Sequence, residues 1–104
     1  MNILFVCSAN IDRSKTAEIH FATKHPEHQF KSAGTNIELC LRSGSTPLSK
    51  ELLHWADWVF AMEPKHQEFI NSLIDCDVQV LDVPDDYKFM DRRLIDILEK
   101  KVDI

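Results

Sequence analysis

The sequence predicts an α/β protein of three layers, a four-stranded parallel sheet flanked by helices. Three observations carry that prediction. Short apolar runs alternate with longer amphipathic stretches along the chain, giving the order βαβαβαβα. The first run, Ile3-Leu4-Phe5-Val6, is continuously apolar, as in a strand buried on both faces. No repeat, linker or low-complexity segment interrupts the 104 residues, so one domain spanning residues 1–104 is expected.

The elements follow in order. Residues 2–7 form the first strand. Residues 14–24 read as a helix with Ala17 and Phe21 on its inner face. His25-Pro26 ends it, because the residue before a proline avoids the helical region. Residues 30–34 make a short second strand closed by Gly34. Residues 36–47, rich in Ser, Thr, Gly and Pro, are expected to be the longest loop. Thr46 or Ser49 can cap the next helix, which carries Leu48, Leu52, Leu53 and Ala56 as its stripe. Residues 58–62 are a third buried strand. Pro64 then suits a first helical turn, with His66, Phe69, Ile70 and Leu73 facing inward. Residues 78–83 are a fourth strand, and Pro84-Asp85-Asp86-Tyr87 a loop. Asp91 opens a last helix, with Leu94, Ile95, Leu98 and Val102 turned to the core.

The chemistry concentrates at the end of the first strand. Cys7 is followed by five residues, Ser8-Ala9-Asn10-Ile11-Asp12, and then by Arg13 and Ser14. A helix start offers backbone N–H groups without intrahelical partners and the positive end of the helix dipole, a natural anion cradle. The same field favours the thiolate of Cys7. Arg13 can place two N–H bonds on a phosphoryl group. Thiolate, cradle and guanidinium together describe a site where sulfur attacks phosphorus. The plainer reading is a buried strand-end cysteine beside a surface arginine. Ligands in parallel sheets bind outside the carboxyl ends of the strands, so Asp85, after the fourth strand, belongs to the same edge. Asp85 and Asp86 are either plain loop carboxylates, a cap, or the source of a general acid.

Composition narrows the rest. With 12 basic and 17 acidic residues, the formal net charge is -5, which disfavours nucleic acid and anionic membrane as partners. The N-terminal apolar run is too short and lacks the basic start of a signal peptide or span, so a cytoplasmic protein is expected. The cysteines, Cys7, Cys40 and Cys76, form neither a disulfide framework nor a zinc pattern. Cys40 and Cys76 read as spare thiols, and the five histidines as solvated surface side chains. Trp55 and Trp58 read as packing. Asp12 is expected to point outward, since an inward carboxylate would oppose the anion.

At these residues the chain resembles the low-molecular-weight protein tyrosine phosphatase family. Phe5-Val6-Cys7 through Arg13-Ser14, with Thr16-Ala17-Glu18, follow that family's opening. Ser32-Ala33-Gly34-Thr35 is similar to its second strand, and Ala56-Asp57-Trp58-Val59-Phe60-Ala61-Met62-Glu63 to its third. Val83-Pro84-Asp85-Asp86-Tyr87 resembles the acid loop, with Asp86 where proline is usual. The resemblance implies a flavodoxin-like topology and a phosphomonoesterase, most simply a protein tyrosine phosphatase. Cys7 would be the nucleophile, Arg13 and the loop amides of Ser8 to Ser14 the phosphate binders, and Asp85 the acid and then the base. Asn10 would hold the loop's shape, Ser14 would donate to the sulfur, and Ile11 and Tyr87 would line the substrate pocket. No metal or organic cofactor is implied, and the partner would be a phosphorylated protein or a small aryl phosphate.

The chain also departs from that pattern. Ala9 replaces the usual glycine, Asp12 a second loop cysteine, and Lys15 a proline. The chain is shorter than typical members around residues 36–46 and between the third and fourth strands. Ile11 favours phosphotyrosine over phosphoarginine, because the relatives that act on phosphoarginine tend to carry threonine there. A module that binds a phosphorylated ligand without turnover is the alternative. An arsenate reductase would need further paired cysteines, and a sugar-transport phosphocarrier would not need Arg13 and Asp85.

Overall fold

Strand β1 (Asn2–Cys7) is the centre of a four-stranded parallel sheet of order β2-β1-β3-β4. The structure, a computed structural model, describes residues 1–104. After β1 come α1 (Arg13–Lys24), β2 (Gln29–Gly34), α2 (Ile37–Ser43), α3 (Lys50–Trp55), β3 (Trp58–Ala61), α4 (Pro64–Leu73), β4 (Gln79–Val80) and α5 (Arg92–Lys101). Parallel pairing joins β1 to β2 and β3, and β3 to β4.

The apolar run of β1 is buried on both faces, as its lack of alternation predicts. Successive side chains point to opposite sides. Ile3, Phe5 and Cys7 pack with Ala17 and Phe21 of α1 and Leu94 and Leu98 of α5. Leu4 and Val6 pack with Leu53 of α3 and Ile70 of α4. Phe5 sits in an aromatic cluster, its ring centroid 5.8 Å from Phe21, 6.1 Å from Phe30 and 5.4 Å from Phe60.

Three expectations change. Residues 36–47 are not one loop, since α2 lies within them. Asn36 caps it by accepting the Leu39 amide at 3.1 Å, and Gly44 ends it at φ 73°, where a side chain would be strained. Within α2 only Cys40 is fully buried, while Ile37 packs in part against the core and Leu41 is exposed. The fourth strand is shorter than residues 78–83. Asp82 takes φ 54° and turns the chain out of the ladder, although the Leu81 and Val83 amides still donate to Ala61 and Met62 at 2.8 Å. On α5, Ile97 joins the packed core and Ile95 is half-buried. Of the two candidate caps of α3, Ser49 is used.

The loops after β1, β3 and β4 all leave the carboxyl edge of the sheet, which brings Cys7, Glu63 and Asp85 to one side of the molecule. Phe5→Ala would empty the centre of the aromatic cluster. It should cost about 3–5 kcal/mol in urea unfolding; a loss below about 1 kcal/mol would show that this cluster does not anchor the sheet.

Candidate active site

The loop between β1 and α1 turns because Asn10 takes φ 56°, a left-handed conformation that asparagine tolerates. Its side chain is buried and fully bonded. Nδ2 donates to Ser14 Oγ and Ser32 Oγ, both at 2.8 Å, and Oδ1 accepts the Thr46 amide at 3.0 Å. Ser14 Oγ accepts from Asn10 and lies 2.9 Å from Cys7 Sγ, to which its own proton can be donated. The Asn10 amide also donates to that sulfur, at 3.3 Å. Asn10 and Ser14 thus stand where the sequence expected them. Ala9 needs no positive φ, so the missing glycine costs the loop nothing in conformation.

The carbonyls of the loop face away from its mouth and are satisfied there. The Thr35 amide donates to Cys7 O and the Asn36 amide to Ser8 O, both at 2.9 Å, and Ser45 Oγ donates to Ala9 O at 2.6 Å. Gly34 makes this approach possible, since a Cβ there would lie 2.5 Å from both Ser8 O and Cys40 Sγ. Cys40 packs behind the loop, its Sγ 3.4 Å from Ala9 O, and all three cysteines are free thiols. The amides of Ser8, Ala9, Ile11, Asp12, Arg13 and Ser14 donate to no other group of the protein. A depression of about 70 Å³ is lined by Cys7, Ser8, Ala9, Ile11, Asp12, Arg13 and Asp85.

Arg13 is 1% exposed, yet its tip reaches this depression. Nη1 donates to Glu63 Oε2 at 2.5 Å and to the Val83 carbonyl at 2.8 Å, while Nε faces Asp85 Oδ1 at 3.6 Å. Nη2 has no partner in the protein and is available to a ligand oxygen. The Arg13 hydrogen bond holds the Glu63 carboxyl below the usual carboxylate range. Asp85 lines the depression and Asp86 does not, which separates the two candidate acids. Ile11 lies on the rim, 42% exposed. Tyr87, expected on the pocket wall, is instead half-buried against the core, with the Arg93 guanidinium 5.2 Å from its ring centre. Asp12 points outward as expected, its Oδ1 accepting the Phe89 amide at 2.9 Å.

Two residues of the site escaped the sequence reading. Glu63 was seen only as part of the third strand's pattern, although its place at a strand's carboxyl end was a usable signal. His66 was grouped with the solvated histidines and is in fact fully buried. Its Nδ1 accepts the Glu63 amide at 3.1 Å, so the proton of the neutral ring is on Nε2, which donates to Ser8 Oγ at 2.9 Å. The Ser8 hydroxyl proton is then left for a ligand. No three His, Cys, Asp or Glu side chains converge as a metal set would.

No protein-family model matches the sequence. No curated protein matches it significantly. Solved structures do match. A low-molecular-weight protein tyrosine phosphatase from T. tengcongensis is 25% identical, with 96% of this chain and 91% of that one covered, at a TM-score of 0.73. A mutant of YwlE from Bacillus subtilis is 28% identical over 78% of this chain and 71% of its own, at 0.65. A mutant of the YwlE arginine phosphatase with a phosphorylated active-site serine is 29% identical over 69% and 61%, at 0.55. The fold of this chain is that of the low-molecular-weight protein tyrosine phosphatases, and its identity to them is low.

Burial, and then the charge of Arg13, push the His66 pKa from 6.5 down to about 4. As pH falls through that window the unfolded chain takes up a proton that the folded chain refuses. This part of the stability is whole above pH 6.5 and declines below it, by roughly 3 kcal/mol when the folded value is reached. Glu63 begins to contribute its own loss only below its unfolded value of 4.5. Urea unfolding between pH 7 and 4.5 should therefore show a slope that His66→Gln flattens; equal slopes would mean that His66 is protonated in the fold.

Proposed function

We propose that this chain hydrolyses phosphomonoesters through a phosphocysteine on Cys7, with phosphotyrosine in proteins and small aryl phosphates as its substrates. The observation that carries the reading is that Cys7, Arg13 and Asp85 line one small depression, together with a loop whose amides have no partner in the protein. The depression is small and is lined by the loop and Asp85. The leaving group rests at its mouth, against the apolar, exposed Ile11.

In the first step Sγ bonds to phosphorus as the ester P–O bond breaks, and the departing oxygen takes a proton from Asp85. The loop amides and Arg13 hold the three non-bridging oxygens as charge builds on them. In the second step a water gives its proton back to Asp85 and attacks phosphorus. The S–P bond breaks, phosphate leaves, and the Ser14 hydroxyl stabilises the returning thiolate. A module that only captured phosphorylated ligands would gain nothing from a carboxylate at the mouth. Phosphoarginine is the second reading, favoured by the likeness to an arginine phosphatase and by the Asp85 carboxylate on the mouth. Ile11, an apolar surface suited to an aromatic ring, favours the first. No helix is long and apolar enough to cross a membrane, and a reducing cytoplasmic setting suits the free Cys7 thiol.

Phosphate release from phosphotyrosine and phosphoarginine peptides tests this directly. Phosphotyrosine should be the better substrate, Cys7→Ser should abolish turnover, and Asp85→Ala should lower kcat by about 10²–10⁴. Asp86→Ala should leave the rate near that of the wild type; a large loss there with Asp85→Ala silent would exchange the two roles.

A further inference from the structure

Asp12 caps α1 by position, yet its side chain makes no capping bond to the helix. Its carboxylate instead reaches across to the segment after β4 and accepts the Phe89 amide, 2.9 Å from Oδ1. One turn further along α1, Thr16 Oγ1 accepts the Met90 amide, also at 2.9 Å. Met90 takes φ 61°, an unfavourable conformation for its side chain, and the Asp91 amide closes the turn onto Lys88 O at 3.0 Å.

These bonds fix one end of the segment that carries Asp85. The other end is fixed at Val83, whose amide donates to Met62 O and whose carbonyl accepts Arg13 Nη1, both at 2.8 Å. Between the two anchors Pro84, Asp85, Asp86 and Tyr87 form no backbone–backbone hydrogen bond. Asp85 is 64% exposed, and its one polar contact is the 3.6 Å approach to Arg13 Nε. The position of this carboxylate at the depression it shares with Cys7 is thus set by where its segment is tied down, and one tie is a side chain of the phosphate loop itself.

We infer that Asp12 is a positioning residue for the acid: its carboxylate ties the acid segment at Phe89 to the phosphate loop and so holds Asp85 at the mouth of the site. The inference rests on the hydrolytic reading above and adds a residue that acts through another. It also accounts for a carboxylate beside an anion cradle, since the outward oxygen is engaged by an amide and does not face the phosphoryl group.

Two measurements on the full chain test it. The first is kcat/KM for aryl phosphates of graded leaving-group acidity, from phenyl phosphate to 2,4-dinitrophenyl phosphate. A poor leaving group needs the acid and a good one does not. Asp12→Ala should therefore lower the rate on phenyl phosphate about tenfold or more and scarcely alter that on the dinitrophenyl ester. Asp12→Asn, which keeps an acceptor oxygen, should fall far less than Asp12→Ala. In an Asp85→Ala background, Asp12→Ala should add almost nothing, because both act through one group. An equal loss across all leaving groups, or additive effects with Asp85→Ala, would overturn the inference. The second measurement is hydrogen exchange at the Phe89 amide, which needs no turnover. Exchange should quicken in Asp12→Ala and remain slow in Asp12→Asn; unchanged exchange in Asp12→Ala would overturn the tie itself. A wild-type chain without hydrolysis but with this exchange pattern would sink the hydrolytic reading and, with it, the catalytic use of the tie.

Discussion

Asn10, held at φ 56° by the hydrogen bonds of its buried side chain, is the constraint on which the site depends. Its amide faces Cys7 Sγ, and its two Nδ2 bonds and one Oδ1 bond tie the loop to α1, to β2 and to the segment before α3. Glycine would accept the dihedral angles and lose those three bonds. Aspartate would keep the acceptor and lose both donors, so Ser14 and Ser32 would each lose one bond and keep only those to Cys7 and Glu18. The requirement is thus for one residue that tolerates left-handed backbone and has both an amide nitrogen and an amide oxygen to offer. The bond that Ser14 Oγ accepts follows from it, and with it the polar surroundings of the sulfur.

That network binds the site to the register of the sheet. Cys7 pairs with Gly34 and Phe5 with Ser32. Ser32 meets Asn10, and its hydroxyl donates to Glu18 of α1 at 2.5 Å, while Gly34 leaves room for the loop carbonyl at Ser8. A slip of one residue between β1 and β2 would turn Ser32 to the opposite face and set a Cβ from Ala33 or Thr35 against the loop. The apolar residues of β2 resist such a slip, because Phe30 and Ala33, which pack against opposite core clusters, would exchange sides as well. Core packing and phosphate-loop geometry are in this way one constraint expressed on two scales.

The parts of this arrangement that the sequence displayed are those governed by local rules. β1 shows its burial in an unbroken apolar run, α1 its start in the loop that precedes it, and Cys7, Asn10, Arg13 and Ser14 lie within eight residues of one another. Asp85 could be placed at the same edge by topology, but its advantage over Asp86 depends on which way a four-residue segment turns, and no pattern encodes that. α2 was hidden because it is short, with Cys40 its one fully buried residue, and lies in a stretch whose Ser, Thr, Gly and Pro read as a loop. His66 was hidden for the opposite reason. Its spacing with Ile70 marked it as inward, but a histidine is buried only when both ring nitrogens find partners, and those partners, the Glu63 amide and Ser8, are set by tertiary structure. Tyr87 shows the limit of local resemblance: the segment supplies the aromatic residue, and the fold uses it to cover the core.

The charges at the mouth decide how the site must hold its ligand. One guanidinium, Arg13, stands against Glu63 and Asp85, and Lys65, 3.8 Å from Glu63, is mostly exposed. The whole chain is also acidic, at -5. Long-range attraction of a phosphate dianion is therefore weak, and steering of the kind seen with basic clefts is not available to this protein. What remains is short-range and directional: loop amides with no partner in the protein, the Ser8 hydroxyl freed by His66, and the Nη2 edge of an arginine whose other edge is already fixed by Glu63 and Val83. Pairing Arg13 with Glu63 lowers the net charge offered to the ligand, and in exchange it fixes the orientation of the guanidinium before the ligand arrives. A site built this way discriminates by the tetrahedral geometry of the phosphoryl group more than by its charge, and it leaves the choice among leaving groups to the open rim around Ile11.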